Sequence, residues 1–291
     1  MRIRLNGLRQ STVGHTAIGL WRHPDSQAHR YRDLSYWVET AKILERGHFD
    51  ALFVADALGP LDVYQGSVDA ALRDGIQTPT DDPLLPISAM AAATEHLGFA
   101  VTVSSTYELP YAFARKMTTL DHLTGGRIGW NIADYQRYAS VEGALARWSA
   151  LMHIDLSALD WDQPLEYVET DGIRGMVELF TTLDPSRTWT PRAIAEFVGV
   201  GGGGPVIVGS PATVADELER WADESGVDGF NIADPVPPVT FRDFVDLAVP
   251  ELQRRGLVRT SYDGPTLREN LYGPGQTRVR DDHPAAAYRF S

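Results

Sequence analysis

Thr119–Ile132, TLDHLTGGRIGWNI, decides the fold, because it writes a helix end, a tight stop and a buried strand in fourteen consecutive residues. Met117, Leu120 and Leu123 continue a helical stripe that stops at Gly125-Gly126, where glycine accepts the left-handed backbone that closes a helix. Arg127–Ile132 then reads as a strand. Its last residues, Trp130 and Asn131, fall where parallel-barrel enzymes keep their chemistry.

Working outward, the first half alternates helix patterns with short apolar runs. Thr16–Trp21 reads as a first strand, Leu34–Arg46 as a helix stopped by Gly47, Phe49–Ala55 as a near-continuous apolar strand, and Pro86–Leu97 as a helix. Phe99–Ser104 is a β-branched strand, and Pro110–Leu123 a helix with proline at its start. Strands apolar on both faces, separated by helices, predict a parallel sheet, either closed as a barrel or doubly wound. After Ile132 the pattern becomes helix upon helix: Asp134–Leu151, Gly172–Leu183, and a helix beginning at Pro191 with Thr190 as cap. Alternation returns with the strand Val206–Val208, the helix Pro211–Ser225 capped by Ser210, the strand Gly229–Ala233, and the helix Phe241–Arg255. The expected organisation is a single domain with a βα half over 1–132, a helical insertion over 133–205, a second βα portion over 206–271 and a tail over 272–291.

Composition narrows the function classes. With 291 residues, 43% hydrophobic, the chain can bury a substantial core. A formal net charge of −13 disfavours nucleic acid and anionic membrane as main partners and favours small molecules. The absence of cysteine excludes disulfides, thiolate metal sites and cysteine nucleophiles, and agrees with a cytoplasmic location. MRIRLNGLRQ lacks the apolar core of a signal peptide, and no apolar run approaches membrane-spanning length. Gly199–Gly204 matches G-x-G-x-x-G, but it follows a predicted helix and precedes a predicted strand, the reverse of a dinucleotide fingerprint. The histidines show no HExxH spacing, and no compact carboxylate set suggests a metal site.

Four stretches in order, GLWRHP at Gly19–Pro24, ERGHFDALFVADALGP at Glu45–Pro60, DHLTGGRIGWNI at Asp121–Ile132 and GVDGFNIADPV at Gly226–Val236, resemble the bacterial luciferase-like flavin monooxygenases. The branch they resemble is that of the nitrilotriacetate, dibenzothiophene-sulfone and long-chain alkane monooxygenases. The resemblance implies a TIM-barrel-derived α/β fold and reduced FMN as cofactor, delivered by a separate NADH-dependent flavin reductase to activate O2 on a small organic substrate. It also exposes an internal deletion: four strands precede Ile132, only Gly229–Ala233 reads convincingly as one after it, and three barrel strands have no candidate sequence. The missing part includes the family's histidine and tyrosine beside the flavin and the loop that holds its phosphate. The alternatives are an inactive remnant that no longer binds flavin, or a deazaflavin-dependent oxidoreductase on the same barrel. An incomplete barrel leaves open edges, which strand exchange in a homodimer would repair.

The cofactor-binding candidates are Asp56, Thr102, Ser104 and Asn131; the catalytic residues stay unassigned. Asp56 follows the strand FDALFVA and matches an acidic position beside the family's flavin; its other reading is a turn-capping aspartate. Thr102, Ser104 and Ser105 end the third strand, with hydroxyls suited either to flavin polar atoms or to ordinary strand ends. Asn131 suits the flavin pyrimidine edge, or a buried amide bonded to backbone. His15, His23 and His29 stand near a pocket or are structural; Trp21, Trp37 and Trp130 wall a pocket or pack in the core. Arg22 and Arg127 meet an anion or form surface ion pairs.

Overall fold

The computed structural model describes residues 3–104, 108–133, 148–149, 152–167, 177–178, 180–182, 188–195, 206–278, 280–282 and 286. Five parallel strands form its sheet. They are β1 (Arg4–Gln10), β2 (Ala51–Ala55), β3 (Gly98–Ser104), β4 (Ile128–Ala133) and β5 (Gly229–Ala233), in the order β4-β3-β2-β1-β5. The first four strands lie in chain order and the last returns beside β1, as closure of a parallel barrel requires. Among the described residues no strand joins β4 to β5, so the sheet is open at both.

The helices are α1 (Leu34–Arg46), α2 (Asp69–Asp74), α3 (Ile87–Ala92), α4 (Pro110–Thr124), α5 (Pro211–Ser225), α6 (Val239–Asp243), α7 (Val249–Arg254) and α8 (Leu267–Tyr272), with a π-helical turn at Phe244–Ala248 joining α6 to α7. Most of the core lies between the sheet and its outer helices: Leu5, Leu52, Val54, Phe99 and Val101 meet Trp37, Leu44, Ile87, Met90, Phe241 and Leu252. Gly7 permits close packing here, since a Cβ would sit 2.7 Å from a Leu44 methyl and 3.1 Å from the Phe241 ring. A second apolar cluster gathers described parts of the 148–195 region, Trp148, Met152, Phe180 and Trp189, against Tyr64 and Ala70 of the segment after β2.

The helix stops follow the sequence. Gly125 closes α4 at φ 66°, and Ser210 Oγ accepts the Thr213 N–H at 3.2 Å to start α5. Thr190 Oγ1 likewise accepts from Ala193 N–H at 3.2 Å. Three readings need correction. The first strand is Arg4–Gln10, not Thr16–Trp21, which runs as a loop into the 3-10 turn Leu20–Arg22. RLNGLRQ escapes a hydrophobicity reading because Arg4, Asn6, Arg9 and Gln10 interrupt it. Val206–Val208 is not a strand: it pairs with no described strand, and Val206 and Val208 are exposed. The helix after Pro86 ends early at Ala92, because Glu45 Oε1 accepts the N–H groups of Glu95, His96 and Leu97 and holds them out of helical register. The predicted helices Asp134–Leu151 and Gly172–Leu183 lie largely outside the described residues, as does the Gly199–Gly204 run.

At the amino ends of the strands the charges are paired. The Asp50 carboxylate takes the Leu5 N–H at 3.0 Å, Arg4 at 3.1 Å and Arg259. Burial pushes the Asp50 carboxyl upward, and Arg259 first among its partners opposes that shift.

Candidate functional site

The carboxyl ends of the strands are built differently. β1 ends in Gln10, and Ser11 and Thr12 continue it into a buried turn. Gln77 donates its N–H to Gly14 O at 2.9 Å, and Asp81 donates to Ser11 O at 3.0 Å, folding the 76–82 segment over the end of β1. Side chains that elsewhere prefer water are thereby trapped inside: Gln10 is 1% exposed, Thr12 1% and Gln77 5%. Both amide atoms of Gln10, the Thr12 hydroxyl, Gln77 Oε1 and the Thr80 hydroxyl find no hydrogen-bond partner among the described residues. Each such atom costs about 1–3 kcal/mol when buried alone, so a water or a ligand group that bonded these atoms would stabilise the layer.

Beside it opens a cavity of about 190 Å³ whose lining includes Asp56, Thr80, Asp82, Leu84, Thr102 and Glu108. It brings Asp56 and Thr102 together, two of the four residues expected from the sequence. Asp56 sits immediately after β2 and is nearly buried. Burial raises its carboxyl to about 6; the Ala57 N–H opposes the shift and the neighbouring Asp82 charge adds to it. Thr102 lies opposite Asn131 in the β3–β4 register, and Ser104 pairs with Ala133 at the end of the same ladder. The side chains of Ser104 and Asn131, and the whole of Ser105, lie outside the described residues. A larger hollow of about 910 Å³ is lined by Tyr272, Arg278, Arg280 and Asp282 of the C-terminal segment and contains none of the strand-end residues.

A third group flanks the polar layer. Arg9 donates to the Asp234 carbonyl at 3.3 Å and to the Tyr36 hydroxyl, while its Nε has no partner among the described residues. Burial raises the Asp234 carboxyl to about 6, with the Arg9 charge opposing, and it raises Tyr36 to about 12. His15, Arg9 and Asp234 line the same narrow cleft. His23 is exposed beside Asp25, and His29 is exposed.

The other aromatic and cationic candidates divide. Trp37 packs in the core and donates to Tyr31 O at 2.7 Å; Trp21 donates to Asp74 O at 2.8 Å. Trp130 lies on the helix side of β4, its ring 4.4 Å from Phe113, so it does not face the cavity. Arg22 makes a surface ion pair with Asp74 at 2.9 Å. Arg127 serves neither an anion nor the surface: it is 6% exposed and donates to Ala91 O, Leu97 O, Thr124 O and Thr94 Oγ1. Gln10, Thr12 and Gln77 were missed in the sequence, because a polar residue shows its burial only once the turn above it is folded.

This arrangement suits the polar edge of a flat heterocycle. The amides of Gln10 and Gln77 and the hydroxyls of Thr12 and Thr102 offer the mixed donors and acceptors that a flavin pyrimidine ring needs. A phosphate fits less well. The charged groups lining the cavity are the carboxylates Asp56, Asp81, Asp82 and Glu108, and two cations that reach them are already paired, Arg32 with Asp81 at 3.1 Å and Lys116 with Glu108 at 2.5 Å.

Five parallel strands in barrel order, with helices outside and a partly unsatisfied polar layer at their carboxyl ends, define a TIM-barrel-derived α/β protein. The luciferase-like monooxygenase family model matches residues 16–167, and the chain belongs to that family. Dimethyl-sulfide monooxygenase of Hyphomicrobium sulfonivorans is 32% identical over 99% of this chain and 94% of its own length. Long-chain alkane monooxygenase of Geobacillus thermodenitrificans is 34% identical over 99% and 98%. The crystal structure of DmoA from Hyphomicrobium sulfonivorans superposes with a TM-score of 0.90 at 31% identity, covering 99% of this chain and 96% of that one. The alignment to the dimethyl-sulfide enzyme runs over 450 positions against 291 residues here, so more than a third of its positions have no counterpart in this chain. Among the described residues no helix is long and apolar enough to cross a membrane, and no cluster of His, Asp and Glu is arranged to hold a metal ion.

Proposed function

We propose that this chain is a flavin-dependent monooxygenase that uses reduced FMN and O2 to oxygenate a small organic substrate, with a separate NADH-dependent flavin reductase supplying the reduced cofactor. The observation that carries this reading is the buried polar layer of Gln10, Thr12 and Gln77 beside the Asp56–Thr102 cavity. The polar edge of a bound ring would supply partners to these donors and acceptors, which stand at the carboxyl ends of parallel strands, where barrel enzymes place their sites. The names of the relatives, monooxygenases of a sulfide and of alkanes, support oxygen insertion as the reaction.

Flavin would supply the redox chemistry. The chain's own residues have narrower tasks. Gln10, Thr12, Gln77 and Thr102 bind and orient the ring edge, with Ser104 and Asn131 of the same sheet end as further candidates. Asp56, poised near neutrality, holds or releases a proton at the cavity wall. Leu58 and Leu84 give that wall its apolar part. Anaerobic titration of the purified chain with reduced FMN tests the binding, and oxygen uptake with a flavin reductase and dimethyl sulfide or an alkane tests the reaction. No detectable flavin binding by the folded protein would leave this reading without support.

A second reading has its own observation. The acidic cavity lining favours a chain that has lost the phosphate half of the site, either binding flavin weakly or persisting as an inactive remnant. FMN and riboflavin separate the cases. Equal affinity for both signals a ring site without phosphate recognition, and preference for FMN by tenfold or more signals a phosphate site.

A further inference from the structure

We propose that the segment 257–272 is held to the amino ends of the strands by a pH-sensitive clasp, in which Tyr262 packs against two neutral histidines, His48 and His96, and which loosens when they take up protons. The three residues come from separate stretches of chain. His48 stands in the turn from α1 to β2, His96 in the turn from α3 to β3, and Tyr262 between α7 and α8. The Tyr262 ring is stacked on that of His96 at 4.8 Å and lies tilted 5.5 Å from that of His48. Its hydroxyl donates to Phe49 O at 2.9 Å, just before β2.

Hydrogen bonding decides the charge state that fits. Gln253 Nε2 donates to Arg259 O at 2.9 Å, which orients its amide, and the same nitrogen lies 3.4 Å from His48 Nδ1. An amide nitrogen only donates, so this Nδ1 accepts and the neutral ring carries its proton on Nε2. A second proton sets two donors against each other. His96 meets the same obstacle by another route, because its Nδ1 is buried with no partner among the described residues, and the donor that an imidazolium requires there finds no acceptor.

The surrounding charges act on balance in the same direction. Burial lowers the His48 value most, Arg259 and then His96 add to that, and Glu45 opposes it. The Arg259 guanidinium lies 5.4 Å from the Tyr262 ring and is paired with Asp50, while the Glu45 carboxylate accepts the N–H groups of Glu95, His96 and Leu97. The Glu95 carboxylate, 3.9 Å from His96, is exposed. Burial first, and the Glu45 charge next, push the Tyr262 phenol far up against the opposing charges of Arg259 and Arg127, so it remains a donor.

Other contacts show what the clasp holds. Leu257 O takes the Ile3 N–H at 2.6 Å, and Leu267 N–H bonds Gly126 O at 3.2 Å, so the segment covers the entries to β1 and β4. Released, His48 titrates at its ordinary 6.5 and binds protons that the closed clasp excludes. Closure is therefore firmest well above pH 6.5 and weakens as pH falls through that value.

Amide hydrogen exchange of the full chain at pH 7.5 and 5.5, corrected for the intrinsic effect of pH, tests this. Opening of 257–272 is expected to rise about fivefold or more at pH 5.5, while β2 keeps its protection. His48→Asn tolerates the left-handed backbone of this residue, at φ 54°, and offers an acceptor that does not titrate, so it should remove at least about half of that rise. Ring-nitrogen NMR of the wild-type chain reads His48 directly: the neutral form should carry its proton on Nε2 and titrate below 6.5. Opening that does not change with pH, a rise shared equally by β2 or retained in full by His48→Asn, or a His48 that titrates at or above 6.5, overturns the proposal.

Discussion

Replacing Asp56 by asparagine isolates the cost of holding a carboxylate in the cavity wall. The folded protein raises this carboxyl from 3.8 to about 6, chiefly by burial. Two units correspond to about 3 kcal/mol, an upper figure that falls to the extent that water in the cavity reaches the group. The sign follows from proton counts: between pH 4 and 6 the folded chain holds more protons at this site than the unfolded chain, so its contribution to stability declines as pH rises. Well below pH 3.8 the carboxyl is neutral in both states and the penalty vanishes. Asparagine carries no such penalty at any pH and can still accept the Ala57 N–H. Asp56→Asn is therefore expected to approach the wild type in urea unfolding as pH falls below the unfolded value of 3.8 and to exceed it by about 1–3 kcal/mol at pH 7.5. Comparing the two proteins at each pH cancels the titration of all other groups. A gain that is constant across pH, or a loss at pH 7.5, would refute the assignment of a desolvated carboxylate to this wall.

Other expectations concern the frame that carries the site. Arg127→Ala strands three backbone carbonyls and the Thr94 hydroxyl, and should lower the unfolding free energy by about 3 kcal/mol or more; a loss under 1 kcal/mol in urea would mean that those contacts are not made. Gly125→Ala places a Cβ in open space at φ 66°, so its cost is purely conformational, about 1 kcal/mol in thermal or chemical unfolding. Leu44→Ala empties a fully buried position between β1 and α1 and should cost about 2–5 kcal/mol by the same measurements. In flavin titrations, Gln10→Ala is expected to weaken reduced FMN binding by about tenfold, the loss of roughly one hydrogen-bonding partner; unchanged affinity would remove Gln10 from the site.

Much of the frame was readable from residues alone, because its signals are local. Helix α4, its stop at Gly125 and strand β4 follow from an apolar stripe, a glycine pair and a run of strand-forming residues that need no distant partner. β2 and β3 were legible for the same reason, as buried parallel strands apolar on both faces, and β5 from the short apolar run around Asn231. β1 was not, since its polar residues earn burial only from contacts made elsewhere: Arg4 with Asp50, Arg9 with Tyr36, and Asn6 with Asn231. Val206–Val208 failed in the opposite direction, a β-branched run that pairs with no strand among the described residues.

For the site, sequence position placed Asp56 and Thr102 at strand ends, and that sufficed to bring them to one cavity, because parallel strands all deliver their carboxyl ends to the same side. It read Arg127 as meeting an anion or forming a surface ion pair, and the surrounding carbonyls place it in the core instead. The chain by itself determined an α/β barrel lineage, the three strands β2, β3 and β4, and β5 after the helical stretch. The tertiary structure alone decided that this last strand closes onto β1, and that the Gln10 amide, the Thr12 hydroxyl and Gln77 Oε1 are buried without hydrogen-bond partners among the described residues. The physical reason is common to both: strand pairing and desolvation join residues far apart in sequence, so neither is encoded in any single stretch.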